Sequence, residues 1–157
     1  MWKCKDKVAL ITGATGGIGM SIARKFKQNG AKLIVSGTRK EILDNLVAEL
    51  GDDVISIVTN LNNKEDITSL CEISEKYYGK VDILINNAGI TSDNLFLRMK
   101  DEDWDRVINI NLSASMRLTK KLVRGMIKRK YGRIIFISSI VGWSMGLIFR
   151  VLPFYIF

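Results

Sequence analysis

A glycine-rich turn near the start of the chain has the residue types that a phosphate group needs. Residues 12–19 read TGATGGIG, directly after an apolar run and directly before a predicted helix. Backbone N–H groups at a helix amino terminus attract anions, and glycine lets the backbone approach them closely. A glycine cluster by itself is most often only a turn. Between a strand and a helix, however, it predicts a nucleotide-binding site.

The rest of the pattern describes the elements that must position this turn. Apolar runs rich in β-branched residues alternate with longer amphipathic stretches, which predicts a parallel sheet covered by helices. We expect strands at residues 7–12, 32–36, 54–58, 81–86 and 133–138, and helices at residues 18–29, 40–50, 64–78 and 101–130 with a break near residues 111–115. This predicts a doubly wound α/β fold with strand order 3-2-1-4-5 and a ligand crevice at the carboxyl ends of strands 1 and 4.

The composition excludes several kinds of catalytic site. The chain has no histidine and only two cysteines, Cys4 and Cys71, which are far apart in the sequence. Ser/His/Asp and Cys/His hydrolase sites and the usual zinc sites are therefore excluded, and we expect no metal. The cysteine usage favours a reducing, cytoplasmic setting. The apolar stretch at residues 147–157 is too short to span a bilayer, so no membrane partner is expected.

Two further segments make the sequence similar to the short-chain dehydrogenase/reductase family. The motif NNAG follows the fourth predicted strand and continues as NNAGITSDNLFLRMKDEDWDRVININ, and KRKYGRIIFISSIVG surrounds the fifth. Together with the glycine turn they make residues 6–142 resemble the 3-oxoacyl-[acyl-carrier-protein] reductases of bacterial fatty acid biosynthesis. The resemblance implies a Rossmann-like fold and NADPH-dependent reduction of a 3-oxoacyl thioester, in the cytoplasm and usually in a homo-tetramer.

The resemblance also assigns residues to the cofactor. Asn60 and Leu61 would lie beside the adenine, and Asn87, Ala88 and Gly89 would line the ribose of the nicotinamide half. Each of them is alternatively a turn or strand-end residue. The pyrophosphate would bind to Gly13, Ala14, Thr15, Gly16, Gly17, Ile18 and Gly19.

The end of the second predicted strand favours NADP over NAD. Residues 36–40 read SGTRK, with no carboxylate before Glu41 that would bind a ribose hydroxyl and repel a 2′-phosphate. Thr38 and Arg39 are therefore expected to hold that phosphate. Arg39 is alternatively a solvated residue that opens the next helix. Gly16 stands where many NADP-binding relatives have an arginine.

The family's catalytic group is Asn, Ser, Tyr and Lys, of which this sequence supplies two. Asn111 matches the asparagine and Ser139 the serine, with Ser138 as the weaker candidate. They alternatively relieve a helix break and satisfy a strand end. Leu152 occupies the expected tyrosine position, and the sequence contains no Tyr-x-x-x-Lys pair. Because the tyrosine would donate the proton, we expect this chain to be inactive or severely impaired.

The resemblance ends abruptly near Gly142. One hypothesis is a truncation, most simply a shifted reading frame after Gly142 or Gly146, which leaves residues 1–146 as an NADP-binding domain and residues 147–157 as an apolar tail. The competing hypothesis is that the tail is native and covers the fifth strand. Two alternatives for function stay open: a fragment that only binds nucleotide or assembles, and a reductase of another carbonyl substrate.

Positive charge is concentrated in the last third of the chain. All acidic residues lie at or before Asp105, while the net charge of the whole chain is +8. An acidic partner and a solvated helix face both account for this, and nucleic acid is not expected without stacking aromatics. The resemblance implies that Lys130, with Arg129 beside it, meets an acyl carrier protein. A plain solvated helix end is the alternative.

Overall fold

A five-stranded parallel sheet with helices on both faces makes up the computed structural model, which describes residues 4–92 and 96–138. The α/β class and the strand order 3-2-1-4-5 confirm the sequence prediction. The strands are β1 (Val8–Ile11), β2 (Lys32–Gly37), β3 (Val54–Val58), β4 (Ile83–Asn86) and β5 (Arg133–Phe136). The helices are α1 (Gly17–Gln28), α2 (Lys40–Leu50), α3 (Lys64–Tyr78), α4 (Asp101–Ile108) and α5 (Ala114–Lys128).

The two faces of the sheet bury separate apolar clusters. Central strands of a parallel sheet are covered on both sides, so their sequences read as continuous apolar runs instead of alternating ones. One face packs on α3 and α5 through Leu10, Ile34, Leu84, Leu70, Leu118 and Leu122. The other face packs on α1 and α2 through Ile11, Leu33, Val35, Ile85, Ala23 and Leu43. The carboxyl ends of the strands are thereby fixed along one edge.

The long helix predicted at residues 101–130 is interrupted. Its two parts, α4 and α5, are joined by a π-helical turn at Asn109–Ser113, and a short 3-10 turn at Phe96–Arg98 precedes them. The predicted break near residues 111–115 is thus present, displaced by two residues. Within the described residues, no helix has the length and apolar character that a membrane crossing requires.

A buried carboxylate joins β1 to the amino end of β4. Asp82 is 3% exposed, and its Oδ2 accepts a hydrogen bond from the Val8 N–H at 3.1 Å. Lys80 Nζ lies 2.9 Å from the same oxygen. The Asp82 N–H in turn donates to the Val8 carbonyl oxygen at 2.9 Å. This residue therefore aligns two central strands that are far apart in the sequence.

Replacing Asp82 with alanine should lower the free energy of unfolding by about 2 kcal/mol, because the buried Val8 N–H loses its acceptor. Urea denaturation of the full chain measures the change. Asp44→Ala is the matched control, since Asp44 forms an exposed i,i+4 ion pair with Lys40 that should contribute less than about 0.5 kcal/mol. Equal losses in the two variants would contradict the role assigned to Asp82.

The two cysteines should differ sharply in reactivity. Cys71 in α3 is 4% exposed, and burial raises the pKa of its thiol to about 12. Only the thiolate is nucleophilic, so at about pH 8 Cys71 should react with a disulfide reagent at least about 100-fold more slowly than half-buried Cys4. We expect one fast thiol in the native chain and two in urea. Two fast native thiols would refute this.

Candidate functional site

A cleft of about 430 Å³ lies at the carboxyl ends of β1 to β4. In an open α/β sheet, this edge is where ligands bind. Of the residues that the sequence assigned to the cofactor, all except Ala14 line the cleft. Ala14 is fully buried behind it, and its N–H donates to the Ser36 carbonyl oxygen at 2.9 Å. The cleft also includes residues that sequence reasoning did not select, namely Ser36, Gly37, Thr59, Ile90, Arg106 and Ile110.

The amino terminus of α1 supplies free hydrogen-bond donors to this cleft. Gly16 is the N-cap, and no side chain caps the helix. The first N–H that is bonded within the helix is that of Met20, which donates to the Gly16 carbonyl oxygen at 2.9 Å. The described residues provide no acceptor for the N–H groups of Gly17, Ile18 and Gly19. Together with the helix dipole, three free donors of this kind are suited to an anion.

The glycines of the turn have two different physical roles. At Gly19, an added Cβ would lie 2.8 Å from Ala14 Cα and 2.8 Å from Asn87 Nδ2, and it would also collide with the Gly13 carbonyl oxygen. At Gly17, a Cβ would meet nothing within 4 Å. Gly19 thus allows the backbones to pack together, whereas Gly17 faces open space in the cleft. That space above free N–H groups fits a bound phosphate.

Thr12 and Asn87 bind the glycine turn to the loop after β4. Thr12 Oγ1 accepts hydrogen bonds from the N–H groups of Asn87 and Ala88, both at 3.1 Å. Asn87 Nδ2 donates to the carbonyl oxygens of Thr12 at 2.9 Å and Gly13 at 3.2 Å. The Asn87 side chain therefore shapes the glycine turn, in addition to lining the cleft. Thr12 was part of the motif but was not selected as a site residue.

Among the residues that the structure describes, those that line the cleft carry positive charge and include no carboxylate. Its ionisable lining residues are Arg39, at the start of α2, and Arg106, in α4. Arg39 Nη2 donates to the Thr15 carbonyl oxygen, which holds the guanidinium against the glycine turn. The positive charges of Arg39 and Arg106 favour an anion in the cleft. Arg39 and the neighbouring Thr38 also offer hydrogen-bond donors that are suited to a phosphate group.

The loop after β3 closes another wall of the cleft. Asn60 Oδ1 accepts from the Asn62 N–H at 3.0 Å, and the Asn60 N–H donates to Asp66 Oδ2 at 2.9 Å. Asn63 caps α3 by accepting from the Glu65 N–H at 2.7 Å. Leu61 is buried beneath the cleft surface. The loop is therefore a tight, internally bonded turn, with Asn60 and Leu61 facing the cleft.

Asn111 lies in the π-helical turn and binds the loop after β4. Its Oδ1 accepts from the Ile90 N–H at 2.9 Å, and its Nδ2 donates to the Ile90 carbonyl oxygen at 2.9 Å. Both polar groups of the side chain are thus engaged with the backbone of one residue, Ile90. Ser138 is exposed after β5. Ser139 and residues 140–157 lie outside the described residues.

Arg129 and Lys130 lie shortly before β5 and therefore near its amino end, whereas the cleft lies at the carboxyl ends of the strands. Arg129 Nη2 donates to the Val81 carbonyl oxygen at 2.7 Å, so this guanidinium already supports the fold. Lys130 is exposed and has a positive φ of 53°. Of the two residues predicted to meet a partner, Lys130 is therefore the more available.

The fold and the site together define a protein of the dinucleotide-binding α/β class. The sequence matches the family model of the short chain dehydrogenases over residues 7–151, and the chain belongs to that family. The family implies a nicotinamide nucleotide as cofactor. Three features of the cleft fit such a group: free N–H groups at α1, open space above Gly17, and two arginines with no carboxylate among the described lining residues.

Similar proteins include 3-oxoacyl-[acyl-carrier-protein] reductases. The 3-oxoacyl-[acyl-carrier-protein] reductase FabG of Rickettsia typhi is 51% identical over 136 residues, which are 87% of this chain and 55% of that protein. FabG of Escherichia coli K12 is 44% identical over 142 residues, and Nodulation protein G of Rhizobium sp. strain N33 is 49% identical over 142 residues. The latter two alignments each cover 90% of this chain and 58% of the relative. The chain thus spans little more than half the length of these relatives.

Proposed function

We propose that the chain binds NADP(H) in the cleft and corresponds to the nucleotide-binding part of a cytoplasmic reductase of 3-oxoacyl-[acyl-carrier-protein]. The observation that carries this proposal is the uncapped amino terminus of α1, next to Arg39 and with no carboxylate among the described residues that line the cleft. The identity to named reductases of that substrate supports the substrate class.

The residues of the chain have separate tasks in this proposal. The N–H groups of Gly17, Ile18 and Gly19 bind the pyrophosphate, and Arg39 with Thr38 binds the 2′-phosphate. Asn111 keeps the Ile90 peptide in place at the nicotinamide end. The bound nucleotide, as its reduced form, supplies a hydride. Ser139 is proposed to polarise the substrate carbonyl, as its match to the family serine implies.

Binding and turnover should be separable in these 157 residues. No tyrosine is followed four residues later by lysine, so a substrate oxyanion would have no nearby acid of the expected kind. We therefore expect nucleotide binding without reduction of an acetoacetyl thioester. Fluorescence titration with NADPH and with NADH, followed by a turnover assay, tests both parts. A folded chain that binds neither nucleotide would overturn the proposal, and rapid turnover would overturn the expected inactivity.

Docking of an acidic carrier protein at Lys130 is the proposed basis of substrate delivery. Lys130 lies before β5, so this surface is separated from the cleft by at least the strand length of about 13 Å. Attraction between opposite charges mainly raises the rate of encounter and weakens with salt. A salt-sensitive association with acyl carrier protein that Lys130→Glu removes would support this role.

A second candidate function is assembly without catalysis, and one observation favours it. Three apolar side chains from the π-helical turn and α5 are exposed: Leu112 by 64%, Met116 by 53% and Ile127 by 69%. Exposed apolar surface of this kind is typical of protein interfaces, and the family's homo-oligomers are the proposed context. Sizing chromatography measures the oligomeric state, and fluorescence titration with NADPH measures nucleotide binding. A defined oligomer that does not bind nucleotide would support assembly without catalysis.

A further inference from the structure

Two asparagines of the π-helical turn bind loops on opposite sides of it. Asn109 Nδ2 donates to Asn62 Oδ1 at 2.7 Å and to the Asn62 carbonyl oxygen at 3.1 Å. Asn111 makes its two hydrogen bonds to the backbone of Ile90: it accepts from the Ile90 N–H and donates to the Ile90 carbonyl oxygen, both at 2.9 Å. The turn thereby connects the loop after β3 with the loop after β4. A π-helical turn adds a residue to the helix, and such insertions recur at functional sites.

The orientation of Asn109 is fixed from a third element. Arg117 Nη1, from α5, donates to Asn109 Oδ1 at 2.7 Å. The Oδ1 atom therefore faces the arginine and the Nδ2 atom faces Asn62, so the amide has a satisfied partner on each side. Rotation of this side chain would break all of these contacts. Asn109 is consequently a rigid connection between the loop after β3 and the turn.

Both connected loops are walls of the cleft. Asn60 and Leu61 line it on one side, and Gly89 and Ile90 line it on the other. Asn60 is itself bonded to Asn62, whose N–H donates to Asn60 Oδ1 at 3.0 Å. A ligand that contacts Asn60 is thus connected by successive hydrogen bonds to Asn62 and Asn109, and from there through the turn to the Ile90 peptide.

We propose that Asn109 is a positioning residue, which couples occupancy of the adenosine end of the cleft to the order of the Ile90 peptide at the nicotinamide end. The inference rests on the proposed function in so far as the ligand is a dinucleotide. When a ligand restrains the Asn60 loop, the Asn109–Asn62 contact extends that restraint to the turn, and Asn111 extends it to Ile90. Binding at one end then lowers the ordering cost at the other.

Hydrogen exchange of the Ile90 N–H, measured by NMR in the full chain, tests this coupling. The probe is adenosine 2′,5′-bisphosphate, which lacks the nicotinamide half and so cannot contact Ile90 through it. At saturation it should slow Ile90 exchange about tenfold, within the usual range of coupling between sites. In Asn109→Asp, which keeps the acceptor for Arg117 but loses the donor to Asn62, saturating probe should slow exchange less than about twofold.

The matched control is Asn45→Asp, because Asn45 is exposed in α2 and the variant makes the same change of charge. It should retain the wild-type response. If Asn109→Asp does not fold, Asn62→Ala removes the shorter of the two contacts and should reduce the response. An unchanged response in a folded Asn109 or Asn62 variant, or no response in a wild-type chain that binds the probe, would overturn the inference. A folded wild-type chain that does not bind the probe would instead overturn the proposed function.

Discussion

Replacing Gly19 with alanine should destabilise the chain by about 2–3 kcal/mol, because the new methyl group has no room. It would lie 2.8 Å from both Ala14 Cα and Asn87 Nδ2, and the backbone on one side cannot move away cheaply. Displacement of Asn87 would also disturb its hydrogen bonds to Thr12 and Gly13. Loss of two charge-assisted bonds to phosphate, at about 1.5 kcal/mol each, should lower NADPH affinity by roughly 100-fold.

Gly17→Ala is the matched control for this prediction. A Cβ at Gly17 meets no atom of the protein, so the free energy of unfolding should change by less than about 1 kcal/mol, in the stabilising direction expected of alanine in a helix. Urea denaturation measures stability, and fluorescence titration measures affinity. Equal stability of the Gly19 and Gly17 variants would refute the close packing described for Gly19.

Replacing Arg39 with alanine should reduce the preference for NADPH over NADH by roughly 10–100-fold, as expected when about 1.5–3 kcal/mol of charge-assisted bonding is lost. Arg39 lines the cleft and is held there by the Thr15 carbonyl oxygen. Its contact would be to the 2′-phosphate, which NADH lacks. NADH affinity should therefore change little, and parallel titrations with the two nucleotides measure the difference.

Arg124→Ala controls for the loss of one positive charge, because Arg124 is exposed in α5 and does not line the cleft. It should leave the preference unchanged. Arg39→Lys should retain part of it, since lysine keeps the charge but not the planar fork. Equal weakening of NADPH and NADH in Arg39→Ala would show that the arginine supports the turn and does not recognise the 2′-phosphate.

Most of the fold was predictable because a buried parallel strand appears in the sequence as a short, continuous apolar run. Each central strand is covered on both faces, so β1 and β2 are short apolar runs with clear ends. The interruption between α4 and α5 was also predictable, but its bounds were not. The π-helical turn contacts Asn62 through Asn109, 47 residues away in the sequence, and a long-range contact of this kind leaves no local pattern.

The glycine turn and residues 87–89 of NNAG line the same cleft. Both could be recognised in the sequence because such backbone turns need particular residues. Arg106 and Ile110 gave no such signal, since an arginine and an isoleucine in an amphipathic helix are ordinary. They reach the cleft only through the tertiary position of α4, which holds Arg106, and of the π-helical turn, which holds Ile110. Ala14 was grouped with the turn by sequence position, whereas its N–H is bonded to the Ser36 carbonyl oxygen.

The central position of β1 has a consequence for how the polypeptide acquires its structure during synthesis. The first strand made is paired with β4, and the bond from the Val8 N–H to Asp82 joins residues 74 positions apart. The Thr12 hydroxyl oxygen likewise accepts a hydrogen bond from the Ala88 N–H, 76 residues later in the chain. Such non-local closure is slow, so the glycine turn acquires its final contacts only after the chain has been synthesised through Ala88 and that segment has left the ribosome.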